Sequence, residues 1–124
     1  CDVVDDHDLA GVIVSNTTIG RPPLMSRHRN EAGGLSGAPL LRLSTEVLQR
    51  FAAAGQGRFL LIGVGGIASG GDAYAKIRAG ASAVQLYSAL AYEGPGLVTR
   101  IKRELAQHLR ADGFRSVAEA VGAR

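Results

Sequence analysis

Apolar residues fall along the chain in two rhythms. Three short uninterrupted runs, Gly11-Val12-Ile13-Val14, Phe59-Leu60-Leu61-Ile62-Gly63-Val64 and Ala83-Val84-Gln85-Leu86, each stop at a polar or glycine-rich cluster. Runs of that length without alternation predict strands buried on both faces, hence parallel. Between them, apolar positions return every three or four residues. Val47, Leu48 and Phe51 mark one face of a helix over Thr45 to Ala54, with Ser44 as its cap and Gly55 past its end. Ser69-Gly70-Gly71-Asp72 has the spacing of a capping box and opens a helix carrying Ala73, Tyr74 and Ile77, ended by Gly80. The longest helix follows Gly94-Pro95, with Leu97, Val98, Ile101, Leu105 and Leu109 in one stripe. Ser116 and Glu119 repeat the capping-box spacing and predict a last short helix to Val121. Neither rhythm runs through Gly20 to Pro39, a polar loop holding Pro22-Pro23, Arg21, Arg27, Arg29, then Gly33-Gly34 and Gly37. A loop of that length inside a compact domain is usually functional.

The order is helix tail, β, long loop, α, β, α, β, α, short α, which predicts a parallel sheet. A (β/α)₈ barrel takes about 250 residues, and this chain has material for about three of its eight units. The expected fold class is therefore α/β, the C-terminal part of a (β/α)₈ TIM barrel. On this reading residues 1–124 are one portion of a barrel domain whose N-terminal half lies upstream. The opening on Cys1, inside what reads as the tail of a helix, fits that expectation. A complete open doubly wound domain is the alternative, but its fourth and fifth strands are not found. An arc of a barrel leaves one sheet face uncovered, and Val12, Leu61 and Val84 are expected on it.

Composition narrows the classes of function. With 46% hydrophobic and 20% charged residues the chain is globular. Fourteen basic residues against eleven acidic give +3, and twelve of the fourteen are scattered arginines. With no Trp, three Tyr and three Phe, there is no basic stripe interleaved with aromatics, so no nucleic-acid partner is expected. No apolar run approaches the roughly 18 residues of a membrane span, and no signal-peptide layout opens the chain. The single cysteine excludes an internal disulfide and a Cys-cluster metal site, and the histidines lack metal-ligand spacing, so no metal is expected.

Ligands of parallel α/β folds lie at the C-terminal ends of the strands. Here those ends read Ser15-Asn16-Thr17-Thr18, Gly63-Val64-Gly65-Gly66 and Tyr87-Ser88. Glycines there let backbone N–H groups reach a phosphate, and the helix starting near Ser69 is expected to add the positive end of its dipole. A tight strand-to-helix turn is the plain alternative for Gly65-Gly66. The Asn16 amide and Thr17 hydroxyl suit the amide-like edge of a small polar ring, or a carboxylate. They equally suit an Asx or Ser/Thr turn closing the strand. Gly63 to Ala68 fits a loose dinucleotide pattern, but no carboxylate stands about 20 residues on to hold a ribose. His7, His28 and His108 are expected at the surface. Asp2, Asp5, Asp6 and Asp8 form a charged face, and Lys76 and Lys102 lie on outer helices.

Taken in order, Asn16-Thr17-Thr18, Gly33-Gly34-Leu35-Ser36-Gly37-Ala38-Pro39-Leu40, Ile62-Gly63-Val64-Gly65-Gly66-Ile67 and Val84-Gln85-Leu86-Tyr87-Ser88 resemble the C-terminal third of the dihydroorotate dehydrogenase family. The ending from Gly113 to Gly122 resembles its quinone-dependent, membrane-associated class 2. The resemblance implies an FMN-containing barrel that oxidises (S)-dihydroorotate to orotate in de novo pyrimidine (UMP) biosynthesis, hydride passing to FMN and electrons leaving to a quinone. Matched by position, Ser15, Gly37, Gly66, Tyr87 and Ser88 are implied FMN contacts, the last three around its phosphate. Asn16 and Thr17 are implied to hold orotate. The family's catalytic Ser, its flavin-contacting Lys and the N-terminal helices of its membrane and quinone site have no match here. No catalytic residue is therefore assigned, and the chain alone is expected to be inactive. Peripheral attachment to the cell or inner membrane, on the cytoplasmic side, would belong to the upstream part. Two alternatives stay open: the soluble class 1, using fumarate or NAD, and a non-catalytic phosphate-ligand-binding α/β domain.

Overall fold

The computed structural model describes residues 2–123; Cys1, expected inside the opening helix, lies outside them. The elements are α1 (Asp2–Asp6), β1 (Gly11–Val14), a 3₁₀ turn (Ala38–Leu40), α2 (Leu41–Gly55), β2 (Leu60–Val64), α3 (Gly70–Arg78), β3 (Ala83–Gln85), α4 (Ser88–Glu93), α5 (Gly96–Ala111) and α6 (Val117–Ala120). The strands are parallel and neighbours in chain order, β1-β2-β3, with Val12 opposite Leu61 and Gly63 opposite Val84. That order is a barrel wall's, each strand laid beside its predecessor after one helical crossover.

The core lies between this sheet and its helices. Val14, Leu61 and Phe59 pack with Leu48 of α2 and with Ala79 and Ala81, and Val12 joins them. Ile67, Ala73, Leu97 and Ile101 form a second cluster, and Ile77, Leu109 and Ala120 a third; Val84 packs against both. Val12, Leu61 and Val84 therefore face the helices, not the uncovered side as expected. Ile13 and Leu60 are exposed instead, at 56% and 60%. A run that is apolar throughout carries no alternation to say which set of side chains meets the helices. The partner surface on α2 decides it.

Two helix starts also differ from the expectation. Ser44 does not cap α2. The helix begins at Leu41, led in by the 3₁₀ turn with Pro39 in its first turn, and Ser44 is buried within it. Proline's fixed φ suits a helix start, so the turn at Pro39 launches α2 earlier than Ser44 suggests. Tyr87-Ser88 does not simply end β3 either: Ser88 opens α4, six residues and too short to show a helical period. The capping serines hold. Ser69 Oγ accepts from Asp72 N–H at 3.1 Å and Ser116 Oγ from Glu119 N–H at 3.3 Å. Among the described residues no helix is long and apolar enough to cross a membrane.

Candidate functional site

The three strand ends open on one cleft of about 370 Å³, within the ordinary range of small-ligand pockets. Ser15, Asn16 and Thr17 line it from β1, Gly65 and Gly66 from β2, Tyr87 and Ser88 from β3 and α4, and Ser36 and Gly37 from the long loop. The residues singled out in the sequence thus come together in one place.

At the end of β1, where the Val14–Ser15 peptide is cis, Asn16 Oδ1 accepts from Thr17 N–H at 2.7 Å. Its oxygen is committed to the turn, while its NH₂ has no protein acceptor among the described residues. The turn reading and the ligand reading are compatible, because they use different atoms of one amide.

The long loop is braced rather than slack. Thr18 and Leu35 exchange backbone hydrogen bonds of 3.2 and 2.7 Å. The Arg21 guanidinium donates to the carbonyls of Gly33 at 2.6 Å and Glu31 at 3.0 Å. The loop end is thereby carried across the strand tops to the third strand, where Ser88 Oγ donates to Ser36 Oγ at 3.0 Å. Sequence reading missed Arg21, since one arginine in a loop with three carries no local signal.

At the end of β2, Gly65 and Gly66 have φ of 105° and 82°, a region that favours glycine. Ser44 Oγ donates to the Gly65 carbonyl at 3.0 Å. In a planar trans peptide the next N–H points the opposite way, so Gly66 N–H turns away from α2. It has no protein acceptor among the described residues.

The first turn of α3 stands behind the cleft lining, which on this side ends at Ala68. Gly70 N–H donates to Glu104 Oε2 at 2.6 Å and Asp72 N–H to its own cap. Gly70 packs so closely on α5 that a Cβ there would stand 2.7 Å from Leu105 N. Two donors of this helix start are thus spent on protein groups, while Gly71 N–H has no protein acceptor among the described residues.

Among the described residues no lysine or arginine lines the cleft; its charged lining residue, Glu93, pairs with Arg100. A cation does stand behind the wall. Lys76, expected on an outer helix, is fully buried, and its Nζ donates to Ser44 Oγ at 2.5 Å and the Val64 carbonyl at 3.5 Å. Burial pushes its pKa from 10.5 down to about 8, partly opposed by Asp72. Ala73, Lys76 and Ile77 stand at i, i+3 and i+4, so the apolar stripe of α3 already passes through this lysine. Lys102 is exposed, as are His7, His28 and His108. His108 stacks on Tyr74 with ring centroids 5.4 Å apart.

Three parallel strands in chain order, with backbone and amide donors gathered at their C-terminal rim, are an α/β wall of barrel type. The sequence profile of the family described as dihydroorotate dehydrogenase matches residues 1–109. A protein of Azorhizobium caulinodans named dihydroorotate dehydrogenase (quinone) is 67% identical over 114 residues, 91% of this chain and 32% of its own length. One of Rhodospirillum rubrum with the same name is 63% identical over 116 residues, 93% and 32%. The crystal structure of ligand-free DHODH from Eimeria tenella superposes with a TM-score of 0.94 at 44% identity, covering 98% of this chain and 34% of that one. The chain belongs to the dihydroorotate dehydrogenase family, and it spans about a third of the length of these relatives.

Proposed function

We propose that the chain is the C-terminal portion of the barrel of a quinone-dependent dihydroorotate dehydrogenase. Within the whole protein it supplies part of the FMN site and part of the orotate site, for the oxidation of (S)-dihydroorotate to orotate in pyrimidine synthesis. The carrying observation is that the residues matched by motif to the two sites line one cleft at the strand ends.

The residues fit an FMN. Gly66 N–H is a backbone donor without a protein acceptor, beside the Ser88 hydroxyl and Tyr87 at the end of the next strand. These three suit the phosphate, while Ser15 and Gly37 stand where the rest of the cofactor would run. Asn16 offers its free NH₂ and Thr17 its hydroxyl to the substrate's carboxylate or ring amide. FMN, when bound, supplies the hydride acceptor. This chain's own residues bind and orient; the proton-accepting group, the quinone site and attachment to the cell or inner membrane surface, on its cytoplasmic side, fall to parts of the protein outside it. The relatives' shared name favours the quinone class over the soluble one.

The test uses full-length protein carrying Asn16→Ala or Gly66→Asp. Asn16→Ala is expected to keep its flavin absorbance while dihydroorotate turnover falls about tenfold or more, the worth of one hydrogen bond to a charged group. Gly66→Asp is expected to lose the flavin. The opposite pattern, flavin lost with Asn16→Ala and kept with Gly66→Asp, overturns the assignment.

A further inference from the structure

Among the described residues Lys76 is the largest side chain that is fully buried, and the function proposed above makes no use of it. What faces its ammonium is uncharged: the Ser44 hydroxyl from α2 and the Val64 carbonyl from β2. No carboxylate lies within ion-pair distance of it among the described residues. Asp72, one turn earlier on α3, is the acid that acts on it, and its Oδ2 already accepts from Ala68 N–H at 3.0 Å. A buried cation without a counter-ion is costly. Here it sits directly behind a cleft that has no cationic side chain among its described lining residues.

We propose that Lys76 is a positioning residue for the phosphate of the bound flavin, holding the Gly65–Gly66 turn from behind and setting an uncompensated positive charge beneath it. The proposal rests on the flavin reading above. The chain of contacts is short. Lys76 fixes the Val64 carbonyl directly, and through Ser44 Oγ, which donates to the Gly65 carbonyl at 3.0 Å, it fixes the next peptide. With that carbonyl held inward, Gly66 N–H is held toward the cleft. The phosphate dianion supplies the missing counter-charge, through a wall that excludes water and so screens poorly. Arg100, the other cation near the rim, is engaged by Glu93 and by Glu104 at 3.8 Å. Lys76 carries no such acid.

The test compares FMN with riboflavin, which lacks the phosphate, in flavin-free full-length protein by fluorescence quenching. Wild-type protein is expected to prefer FMN. Lys76→Met keeps the buried bulk and removes the charge; its preference for FMN is expected to drop by about tenfold or more, with riboflavin affinity little changed. The phosphate stays dianionic above its second pKa of about 6. From pH 7 to 9 the wild-type preference should therefore fall as Lys76 loses its proton, while Lys76→Met stays flat. That flat profile also controls for the Tyr87 and Tyr92 phenols and for Glu93 in the cleft lining. Should Lys76→Met not fold, the wild-type profile decides: a fall with pH supports the proposal and a flat line overturns it. A variant that retains the wild-type preference overturns the role of Lys76 alone. Wild-type protein that binds riboflavin as tightly as FMN removes the phosphate site itself, and the inference with it.

Discussion

A methyl group added at Gly66 would overlap the backbone of Leu41, standing 2.6 Å from its Cα, and the residue's φ of 82° disfavours any side chain independently. The sequence suggested a glycine here for close approach of a phosphate to the backbone. The structure gives a second reason on the other side of the chain: the missing Cβ is what lets β2's end lie against the start of α2. Gly66→Ala is therefore expected to lower both stability and flavin content in the full-length protein. Gly66→Asp goes further, because the larger, charged side chain would start from a Cβ pressed against the Leu41 backbone, where it can be neither packed nor solvated without displacing the turn that presents the Gly66 N–H. Flavin absorbance per protein after purification reads the order, expected as wild type above Gly66→Ala above Gly66→Asp. Retention of full flavin by Gly66→Asp would take the phosphate away from this turn.

At the scale of elements, what could be read in advance was what local chemistry controls. Ser69 and Ser116 cap their helices because a hydroxyl three residues before a free N–H is a short-range device. Ser69→Ala is expected to cost about 1 kcal/mol, seen as a lowered urea midpoint. Ser44 has the same local look and does something else, since Pro39 starts α2 earlier and a strand turn more than twenty residues on claims the hydroxyl. Lys76 is a similar case: its helical position was legible, its burial depends on β2 and α2 closing over it. That burial makes a pH prediction with a definite sign. The folded pKa of about 8 lies below the ordinary 10.5, so between these values the unfolded chain binds more protons and stability rises with pH. The contribution is complete above about 10.5 and is lost as pH falls through about 8. Its full size is on the order of 3 kcal/mol. Denaturant midpoints of flavin-free full-length protein at pH 7.5 and pH 10 should show the rise for wild type and lack it for Lys76→Met.

At the scale of the molecule, strand order follows from chain order, because each helical crossover returns the chain beside the strand it left. Facing does not follow, since Val12, Ile13 and Val14 are equally apolar and only the packing of Leu48 against Val14 and Leu61 separates them. The outcome fixes which apolar surface these 124 residues leave uncovered on their own. Ile13 and Leu60 stand exposed on the sheet face away from the helices, and β1 and β3 are both edge strands of a three-stranded parallel sheet. Each large side chain left exposed forgoes roughly 1.5–3 kcal/mol of burial, against about 5–15 kcal/mol for a typical whole domain. Open parallel edges with unpaired N–H and C=O groups also template association between chains. Expressed by itself, the 124-residue chain is therefore expected to run as aggregate or as an expanded species in size-exclusion chromatography and to melt without a sharp transition. Replacing Ile13 and Leu60 by threonine should reduce the aggregation by removing apolar surface, without restoring cooperativity, because the edges remain. A soluble monomer of the unmodified chain with one steep thermal transition would mean that the α2, α3 and α5 layer alone carries enough burial to hold the sheet.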